Sequence, residues 1–198
     1  MRIVGGPLGG RRLRAPAGAA TRPTSDKVRE AIFQILGPPP ADAHVLDLFA
    51  GSGALAAEAL ARGAASAELI DAARPAIAAI RANLTELGLL ARARVVQGDA
   101  LRVLAERRPE GPRWRWVFVD PPYQSDLAAR ALLALGAPHP ALADDAIVVV
   151  EHDRRHQPPA RVGCLLRTDH RRYGDTEVSF FHADPSAQAG SSPQAMSP

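Results

Sequence analysis

The sequence predicts an α/β fold, in which a mostly parallel, doubly wound sheet carries helices on both faces. From residue 44 onwards, short apolar runs alternate with longer stretches whose apolar residues recur at helical spacing. Repeated β-α units of this kind build parallel sheets. The chain has 198 residues, 46% of them hydrophobic, which is enough for one core with a small appendage.

The first part of the chain, residues 1–40, is predicted to be a basic hairpin followed by a helix. Residues 2–4 and 11–14 are the arms of the hairpin, and a glycine-rich turn joins them. Residues 24–26 offer side-chain oxygens that can cap the start of a helix. Apolar residues then follow at helical spacing as far as Gly37.

The main domain is predicted over residues 41–182. Its strands are expected at residues 44–49, 67–70, 94–97, 116–119 and 146–150. Its helices are expected at residues 54–62, 75–87, 101–107 and 127–135, with a loop at 108–115. Two more strands, at 162–168 and 177–182, have no helix between them and should form an antiparallel pair. Residues 183–198 are mostly Ala, Ser, Gln, Gly and Pro, and we expect them to be disordered.

Positive charge is concentrated at the start of the chain. Residues 1–30 hold seven basic and two acidic side chains, whereas the whole chain has a net charge of only +3. Such a cluster favours a polyanionic partner. We interpret Arg11, Arg12 and Arg22 as phosphate contacts that position a nucleic acid. The alternative is that these arginines only keep the chain soluble.

Composition argues against several other classes of protein. A single cysteine provides no disulfide framework. No apolar run approaches the roughly 20 residues that a membrane-spanning helix needs, and the first residues lack the apolar segment of a signal peptide. We therefore expect a cytoplasmic protein without a membrane partner, acting as a monomer.

A metal site is not expected. His152, His156, His170 and Cys164 are potential ligands, but two prolines at 158–159 make a shared helical face improbable. The histidines are interpreted as solvated loop residues and Cys164 as part of a strand core.

Packing or solvent roles are predicted for several conspicuous residues. Trp114 and Trp116 flank the start of the fourth strand and are expected to pack in the core or at an edge. Lys27 and Arg29 are expected to face solvent on the first helix. Tyr173 follows two arginines in a predicted loop, where it would either contact the substrate or pack at a hairpin tip.

Acidic residues recur where the predicted strands end. Asp71, Asp120 and Glu151 directly follow strands, Asp99 lies just beyond one, and Asp47 lies inside the first strand before a glycine turn. Because the carboxyl ends of parallel strands share one rim, these side chains should converge there. Such regular placement predicts a ligand site.

The turn after the first strand reads Asp-Leu-Phe-Ala-Gly-Ser-Gly at residues 47–53. Gly51 and Gly53 would let the backbone approach a ligand closely, and the next helix would present free N–H groups to it. The pattern also matches a dinucleotide-binding fingerprint, with Asp71 about 20 residues downstream. A nicotinamide-dependent enzyme is therefore an alternative at this point.

The fourth strand favours a different chemistry, because Asp-Pro-Pro-Tyr follows it at residues 120–123. An aromatic exocyclic amine is a poor nucleophile, since its lone pair is delocalised into the ring. The carboxylate of Asp120 and the carbonyl of Pro121 could accept its two N–H bonds and aim the lone pair at a methyl sulfonium. Tyr123 offers a flat face on which an extruded base can stack. The alternative for these residues is an ordinary turn.

These motifs together resemble a known family. Residues 47–53, Asp71 and residues 120–123 resemble class I S-adenosylmethionine-dependent methyltransferases that modify amino groups. The flanking segments narrow the resemblance to the RsmD family of bacterial 16S rRNA guanine-N2 methyltransferases. These segments are residues 2–6, 22–30 and 173–176, spread along the chain from residue 1 to about 182.

The resemblance implies a Rossmann-like class I methyltransferase fold with S-adenosylmethionine as the cofactor. Its methionyl part would lie near Asp47, Phe49, Gly51 and Gly53. The ribose hydroxyls would bind the acid at the end of the second strand, where this chain has Asp71 in place of the family's usual glutamate.

The adenine of the cofactor would face Asp99 and the backbone of Ala100. The implied reaction is methylation of a guanine N2 in small-subunit rRNA, either free or in an assembling ribosomal particle. Two alternatives remain. One is a DNA methyltransferase acting on adenine N6 or cytosine N4, and the other is a non-catalytic RNA-binding assembly factor.

Overall fold

A computed structural model of the chain describes residues 1–18, 25–106, 112–122, 126–137 and 141–184. Within these ranges eight strands form one sheet. The strands are β1 (His44–Asp47), β2 (Ser66–Asp71), β3 (Ala93–Gln97), β4 (Trp114–Val119), β5 (Leu142–Asp153), β6 (Arg161–Val162), β7 (Leu165–Tyr173) and β8 (Thr176–Ala183). The α-helices are α1 (Asp26–Leu36), α2 (Ala54–Ala61), α3 (Arg74–Glu86), α4 (Ala100–Ala105) and α5 (Leu127–Gly136).

The order of the strands confirms the predicted doubly wound sheet. It is β3-β2-β1-β4-β5-β8-β7-β6, and the first five strands of this order run parallel. The chain moves outward from β1 to β3 and then crosses back to place β4 on the other side of β1. Such a reversal leaves a crevice at the carboxyl ends of the strands, where open α/β sheets bind ligands.

Two hydrophobic layers cover the sheet. Trp116 and Phe118 of β4 face the layer that contains α1, α2 and α3, whereas Val117 and Val119 face the layer that contains α4 and α5. This alternation is the period of two that a strand imposes on its side chains. Among the described residues, no helix has the length and hydrophobicity that a bilayer span requires.

The fourth and fifth strands are longer than the sequence predicts. The predicted loop at 108–115 is wrong at its end, because Trp114 already belongs to β4 and pairs with His44 and Leu142. Trp114 is 3% exposed, so burial of its large indole explains the earlier start. Trp116 is also buried, as the packing prediction for both tryptophans requires.

The end of the domain contains three antiparallel strands where two are predicted. The predicted strand at 162–168 is divided by a turn between β6 and β7, at Gly163 and Cys164. Gly163 has a φ of 56° and lies against the carbonyl of Gly136, so the backbone turns where a side chain would not fit. Cys164 is buried in this turn and not in a strand.

The hairpin tip also differs from the prediction. Arg171, Arg172 and Tyr173 were expected in a loop, but they form the end of β7 and pair with β8. The pairing of β7 with β8 therefore includes these residues, which the sequence predicted to lie in a loop. Residues 185–198, most of the predicted disordered tail, lie outside the described residues.

Two of the histidines predicted as solvated loop residues instead lie on strands. His152 is buried on β5, where its Nε2 lies 2.9 Å from Oγ of Ser179. His170 on β7 lies 3.0 Å from the carboxylate of Glu177. Their ligand atoms and that carboxylate lie within 4.8 Å of one another. Burial lowers the pKa of His152, so its imidazole is neutral at neutral pH.

The predicted amino-terminal hairpin is confirmed by a bridge between Arg2 and Arg12. Ile3 donates a hydrogen bond to the carbonyl of Arg11, and Leu13 donates one to the carbonyl of Met1. Ile3 and Leu13 are buried in the same layer as α1, α2 and α3. The hairpin is therefore packed onto the domain through its apolar residues.

A buried carboxylate holds this hairpin in place. Glu58 of α2 has no exposed surface and accepts hydrogen bonds of 2.8 Å from the backbone N–H groups of Val4 and Gly5. It also forms ion pairs with Arg62 at 2.9 Å and with Arg29 of α1 at 3.8 Å. A buried carboxylate needs such donors to offset the loss of its hydration.

The position of Arg29 corrects a prediction. It was expected to face solvent, but it has no exposed surface. It lies three and four residues before Ile32 and Phe33, on the buried face of α1, and its guanidinium binds Asp26 at 2.8 Å and the carbonyl of Arg2. Lys27, by contrast, is exposed as predicted.

We expect the substitution Glu58→Leu to lower the free energy of unfolding by about 3–5 kcal/mol, because it removes one of the two acidic partners of the buried Arg29 and the acceptor of the Val4 and Gly5 N–H groups. Glu86 is a matched control, since its ion pair with Arg14 is exposed. Glu86→Leu should cost less than about 1 kcal/mol. Urea denaturation of the two variants measures the difference, and equal losses would contradict this role for Glu58.

Candidate functional site

A cavity of about 440 Å³ opens at the carboxyl ends of the parallel strands. This volume lies in the usual range for small-molecule sites. The predicted site residues that line it are Asp47, Phe49, Gly51, Asp71, Asp99, Ala100, Asp120 and Pro121. Residues from four strand ends and one turn are therefore brought together as the topology predicts.

Two residues singled out from the sequence do not line the cavity. Gly53 is the N-cap of α2, with a φ of 76°, and a Cβ atom there would lie 3.0 Å from Leu69. Glycine at position 53 is therefore favoured by the positive φ of the turn and by the close packing against Leu69. Glu151 was expected at the shared rim, but β5 continues past it to Asp153, and Glu151 is buried within the sheet.

Asp71 holds the glycine turn in its conformation. It ends β2, and its two carboxylate oxygens accept hydrogen bonds of 2.8 Å from the N–H groups of Gly51 and Ala73. Gly51 has a φ of 54°, a conformation that favours glycine. Each oxygen can accept a further hydrogen bond, so Asp71 can bind hydroxyl groups while it supports the turn.

Asp47 is a buried acid with an unsatisfied oxygen. It is 1% exposed, and its Oδ2 accepts a hydrogen bond of 3.3 Å from the N–H of Ala56. Its Oδ1 has no hydrogen-bond partner among the described residues. Burial, with a smaller contribution from the charge of Asp71, raises the pKa of Asp47 to about 7. A cationic or hydrogen-bond-donating ligand would stabilise its charged form.

Asp99 and Ala100 lie at the start of α4. The Asp99 carboxylate caps the helix by accepting a hydrogen bond of 2.8 Å from the N–H of Arg102. Asp99 is exposed, whereas Ala100 is buried. This pair forms the side of the cavity next to β3 and can offer a carboxylate and an apolar surface to a planar group.

Asp120 and the two following prolines form another wall of the cavity. Asp120 directly follows β4 and is half-buried, as is Pro121, and Pro122 is exposed. The prolines restrict the backbone at this point and contribute no N–H donors. An acidic side chain and a carbonyl whose position the prolines restrict are therefore adjacent in sequence in this wall of the cavity. Tyr123 lies outside the described residues.

Three of the residues predicted to bind RNA, Arg11, Arg12 and Tyr173, do not line the cavity. Arg11 and Arg12 are exposed on the hairpin, and Arg11 donates a hydrogen bond of 3.0 Å to the carbonyl of Glu86. Arg22 lies outside the described residues. Tyr173 is half-buried against the α1–α3 layer, and burial raises its pKa. Its ring thus packs on the core, although part of it remains accessible.

Several residues of the site have no counterpart among the sequence predictions. Met1, Ala15 and Pro16 line the cavity, although they belong to the amino-terminal extension. Asn83 of α3 is 2% exposed and bridges this extension to the glycine turn. It is the only asparagine in the sequence, and helical spacing places it on the buried apolar face of α3. A polar residue at such a position could have marked Asn83 as a structural or functional residue.

Comparison with known proteins finds close relatives. A family model described as conserved hypothetical protein 95 matches residues 1–182. Ribosomal RNA small subunit methyltransferase D of Escherichia coli is 42% identical over 153 residues, which cover 77% of this chain and 75% of that protein. A Bacillus subtilis protein, YlbH, named as a candidate rRNA methyltransferase, is 41% identical over 181 residues, covering 91% and 98%.

Solved structures agree with these relatives. A structure from Escherichia coli, described as a candidate methyltransferase, yhhF, superimposes with a TM-score of 0.78 and 36% identity. The match covers 93% of this chain and 98% of that one. The Rossmann-like class I methyltransferase fold predicted from the sequence is therefore confirmed.

Asp47 should make the stability of the protein depend on pH. In the folded protein the pKa of Asp47 is about 7, above its ordinary value of 3.8. The contribution of protonated Asp47 to the free energy of unfolding is therefore fully present below pH 3.8 and is lost as the pH rises towards 7. The free energy of unfolding of the unmodified protein should fall over this pH range, and we expect Asp47→Asn to reduce that fall by roughly 2–4 kcal/mol. Urea denaturation at a series of pH values would measure it.

Asp42→Asn is the control for this measurement, because Asp42 is exposed and paired with Arg115. Its stability should follow that of the unmodified protein across the same pH range. Parallel pH profiles for Asp47→Asn and the unmodified protein would show that Asp47 does not carry the effect.

Proposed function

The chain belongs to the RsmD family, whose model carries the description conserved hypothetical protein 95, and from that membership we propose its activity. It transfers a methyl group from S-adenosylmethionine to the exocyclic N2 of a guanine in small-subunit rRNA. The observation that carries this proposal is that Asp47, Asp71 and Asp120 line one cavity beside Pro121. The name of the Escherichia coli relative supports the ribosomal substrate.

The cavity residues fit this methyl donor. The unsatisfied Oδ1 of Asp47 suits the ammonium group of the methionyl part, with Phe49 and Gly51 beside it. Asp71 accepts hydrogen bonds from the ribose hydroxyls. Asp99 and the backbone of Ala100 face the adenine. When bound, the donor supplies a methyl group that its sulfonium already activates, so orientation supplies much of the rate.

Asp120 and Pro121 orient the target nitrogen. A guanine N2 is a weak nucleophile because its lone pair is delocalised into the ring. The Asp120 carboxylate accepts one of its N–H bonds and the Pro121 carbonyl accepts the other, which turns the lone pair towards the methyl group. As the new N–C bond forms and the S–C bond breaks, the nitrogen releases a proton to Asp120. Tyr123 stacks on the extruded base.

The amino-terminal extension binds the RNA in this proposal. Arg11 and Arg12 are exposed and contact phosphates, which position the substrate without reading its sequence. Arg22 has the same role, and Tyr173 contributes the accessible part of its ring. A DNA methyltransferase would share the chemistry of Asp120, but the names of the relatives favour ribosomal RNA.

The substrate is tested with purified protein, S-adenosylmethionine labelled in its methyl group, and three acceptors. These are 30S particles that lack the modification, naked 16S rRNA and duplex DNA. We expect labelled N2-methylguanine in the RNA of one or both ribosomal acceptors. Label that appears only in DNA or in protein would overturn the choice of substrate.

We expect Asp120→Ala to lower the rate of methyl transfer by roughly 10²-fold or more, because it removes an acceptor that acts on the reacting nitrogen. The dissociation constant of the donor should stay within about threefold, since Asp120 does not hold the donor. Single-turnover kinetics and calorimetry measure the two quantities.

Asp126→Ala provides the comparison, because Asp126 is an exposed acid six residues after Asp120 that pairs with Arg130 and does not line the cavity. It should retain full activity. An Asp120→Ala variant that transfers methyl groups at the unmodified rate would refute the role of Asp120.

A further inference from the structure

Part of the wall of the donor cavity comes from the amino-terminal extension. Met1 lies at one end of the hairpin, and Ala15 and Pro16 follow its second arm, and all three line the cavity. They lie beside the glycine turn that contains Gly51 and Ser52. The sulfur of Met1 is 3.5 Å from Oγ of Ser52. The same extension carries the exposed Arg11 and Arg12.

A single buried side chain connects this wall to the glycine turn. Asn83 of α3 accepts a hydrogen bond of 2.8 Å from the N–H of Arg14 and donates one of 3.0 Å to the Arg14 carbonyl. It donates another of 2.9 Å to the carbonyl of Ser52. The amide thus holds residue 14 through both of its backbone groups and holds the turn at the same time.

The second anchor of the extension is at a different place. Glu58 holds the first arm at Val4 and Gly5, next to α1 and α2. Asn83 holds the second arm immediately before Ala15 and Pro16. Loss of Asn83 should therefore release the wall of the cavity, while Glu58 keeps the rest of the hairpin attached.

We infer that the amino-terminal extension is part of the methyl-donor site and that Asn83 is the positioning residue that holds it there. This inference rests on the proposed function, because the ligand is the adenosyl-containing donor. RNA bound to Arg11 and Arg12 would then act on the same element that contacts the donor. Binding of the two substrates should consequently be coupled, with each strengthening the other by the same factor.

The first test compares Asn83→Leu with Thr85→Leu, an exposed position on the same helix. Calorimetry with S-adenosylhomocysteine should show binding weakened by about tenfold or more for Asn83→Leu, on the scale of a lost buried hydrogen bond. The kcat at saturating donor should remain within about threefold, because Asn83 does not touch the reacting groups. Thr85→Leu should match the unmodified protein in both.

This separation of affinity from turnover distinguishes positioning from general destabilisation. A variant that is only partly folded loses kcat in proportion to its inactive fraction, while the folded fraction binds the donor normally. Unchanged affinity of Asn83→Leu for S-adenosylhomocysteine would overturn the inference, whatever its stability.

A second pair of variants does not disturb the core. Ala15 and Ala17 are both exposed, but only Ala15 lines the cavity. Ala15→Trp should weaken binding of S-adenosylhomocysteine by about tenfold, because the indole occupies ligand space, whereas Ala17→Trp should stay within about twofold. Equal affinities for the two variants would show that the extension is not a wall of the site.

Coupling is measured by repeating the calorimetry in the presence of saturating 16S rRNA. The RNA should tighten binding of S-adenosylhomocysteine by about fivefold or more in the unmodified protein and in Thr85→Leu, and by less than about twofold in Asn83→Leu. An equal effect of RNA in all three proteins would overturn the role of Asn83. Failure of the unmodified protein to bind S-adenosylhomocysteine at all would instead reject the proposed function.

Discussion

The buried carboxylate of Glu58 is the interaction on which the architecture around the cavity depends. A carboxylate without exposed surface needs donors, and Glu58 finds them in the hairpin backbone and in the guanidinium groups of Arg29 and Arg62. Satisfying it draws the hairpin, α1 and α2 to one point. The hairpin is therefore a docked part of the domain, and its first residue, Met1, reaches the cavity.

Four carboxylates line the cavity, and the surroundings of three of them, Asp47, Asp71 and Asp120, give these three different chemistry. Asp47 is almost fully buried, and its pKa of about 7 means that a cationic ligand would increase its charged fraction near neutral pH. Asp71 is hydrogen-bonded to the turn that it supports. Asp120 is half-buried directly after β4 and lines the cavity beside the two prolines. In the proposed function, these differences give the donor to the side of Asp47 and Asp71 and the acceptor to the side of Asp120.

The shared location of Asp47, Asp71 and Asp120 follows from local pattern and topology. Asp47 and Asp71 end strands and Asp120 directly follows one, and parallel strands bring their carboxyl ends together whatever the packing details. Arg29 and Asn83 were missed because their environment comes from the hairpin, which is distant in sequence. Helical spacing puts Arg29 on the same face as Ile32 and Phe33, but its charge predicts exposure, and only the tertiary contact with Glu58 reverses that expectation. Nothing in the sequence was a reason to select Met1, Ala15 and Pro16, because their side chains have no reactive or charged group. They belong to the site only because the fold places them at the cavity.

A flexible basic arm could bind RNA without packing on the domain. The packing of this hairpin on the domain therefore has a consequence beyond RNA binding. Buried pairs such as Arg29 and Glu58 add little net stability, since desolvation offsets most of their attraction. They do fix the position of the exposed arginines relative to Asp120. The chemistry proposed for Asp120 would act on any amine that is correctly presented, so the selection of the amine would depend on how the polymer is held. In the proposed function, the choice of substrate therefore depends on the junction between the hairpin and α2 as much as on the Asp-Pro-Pro-Tyr motif.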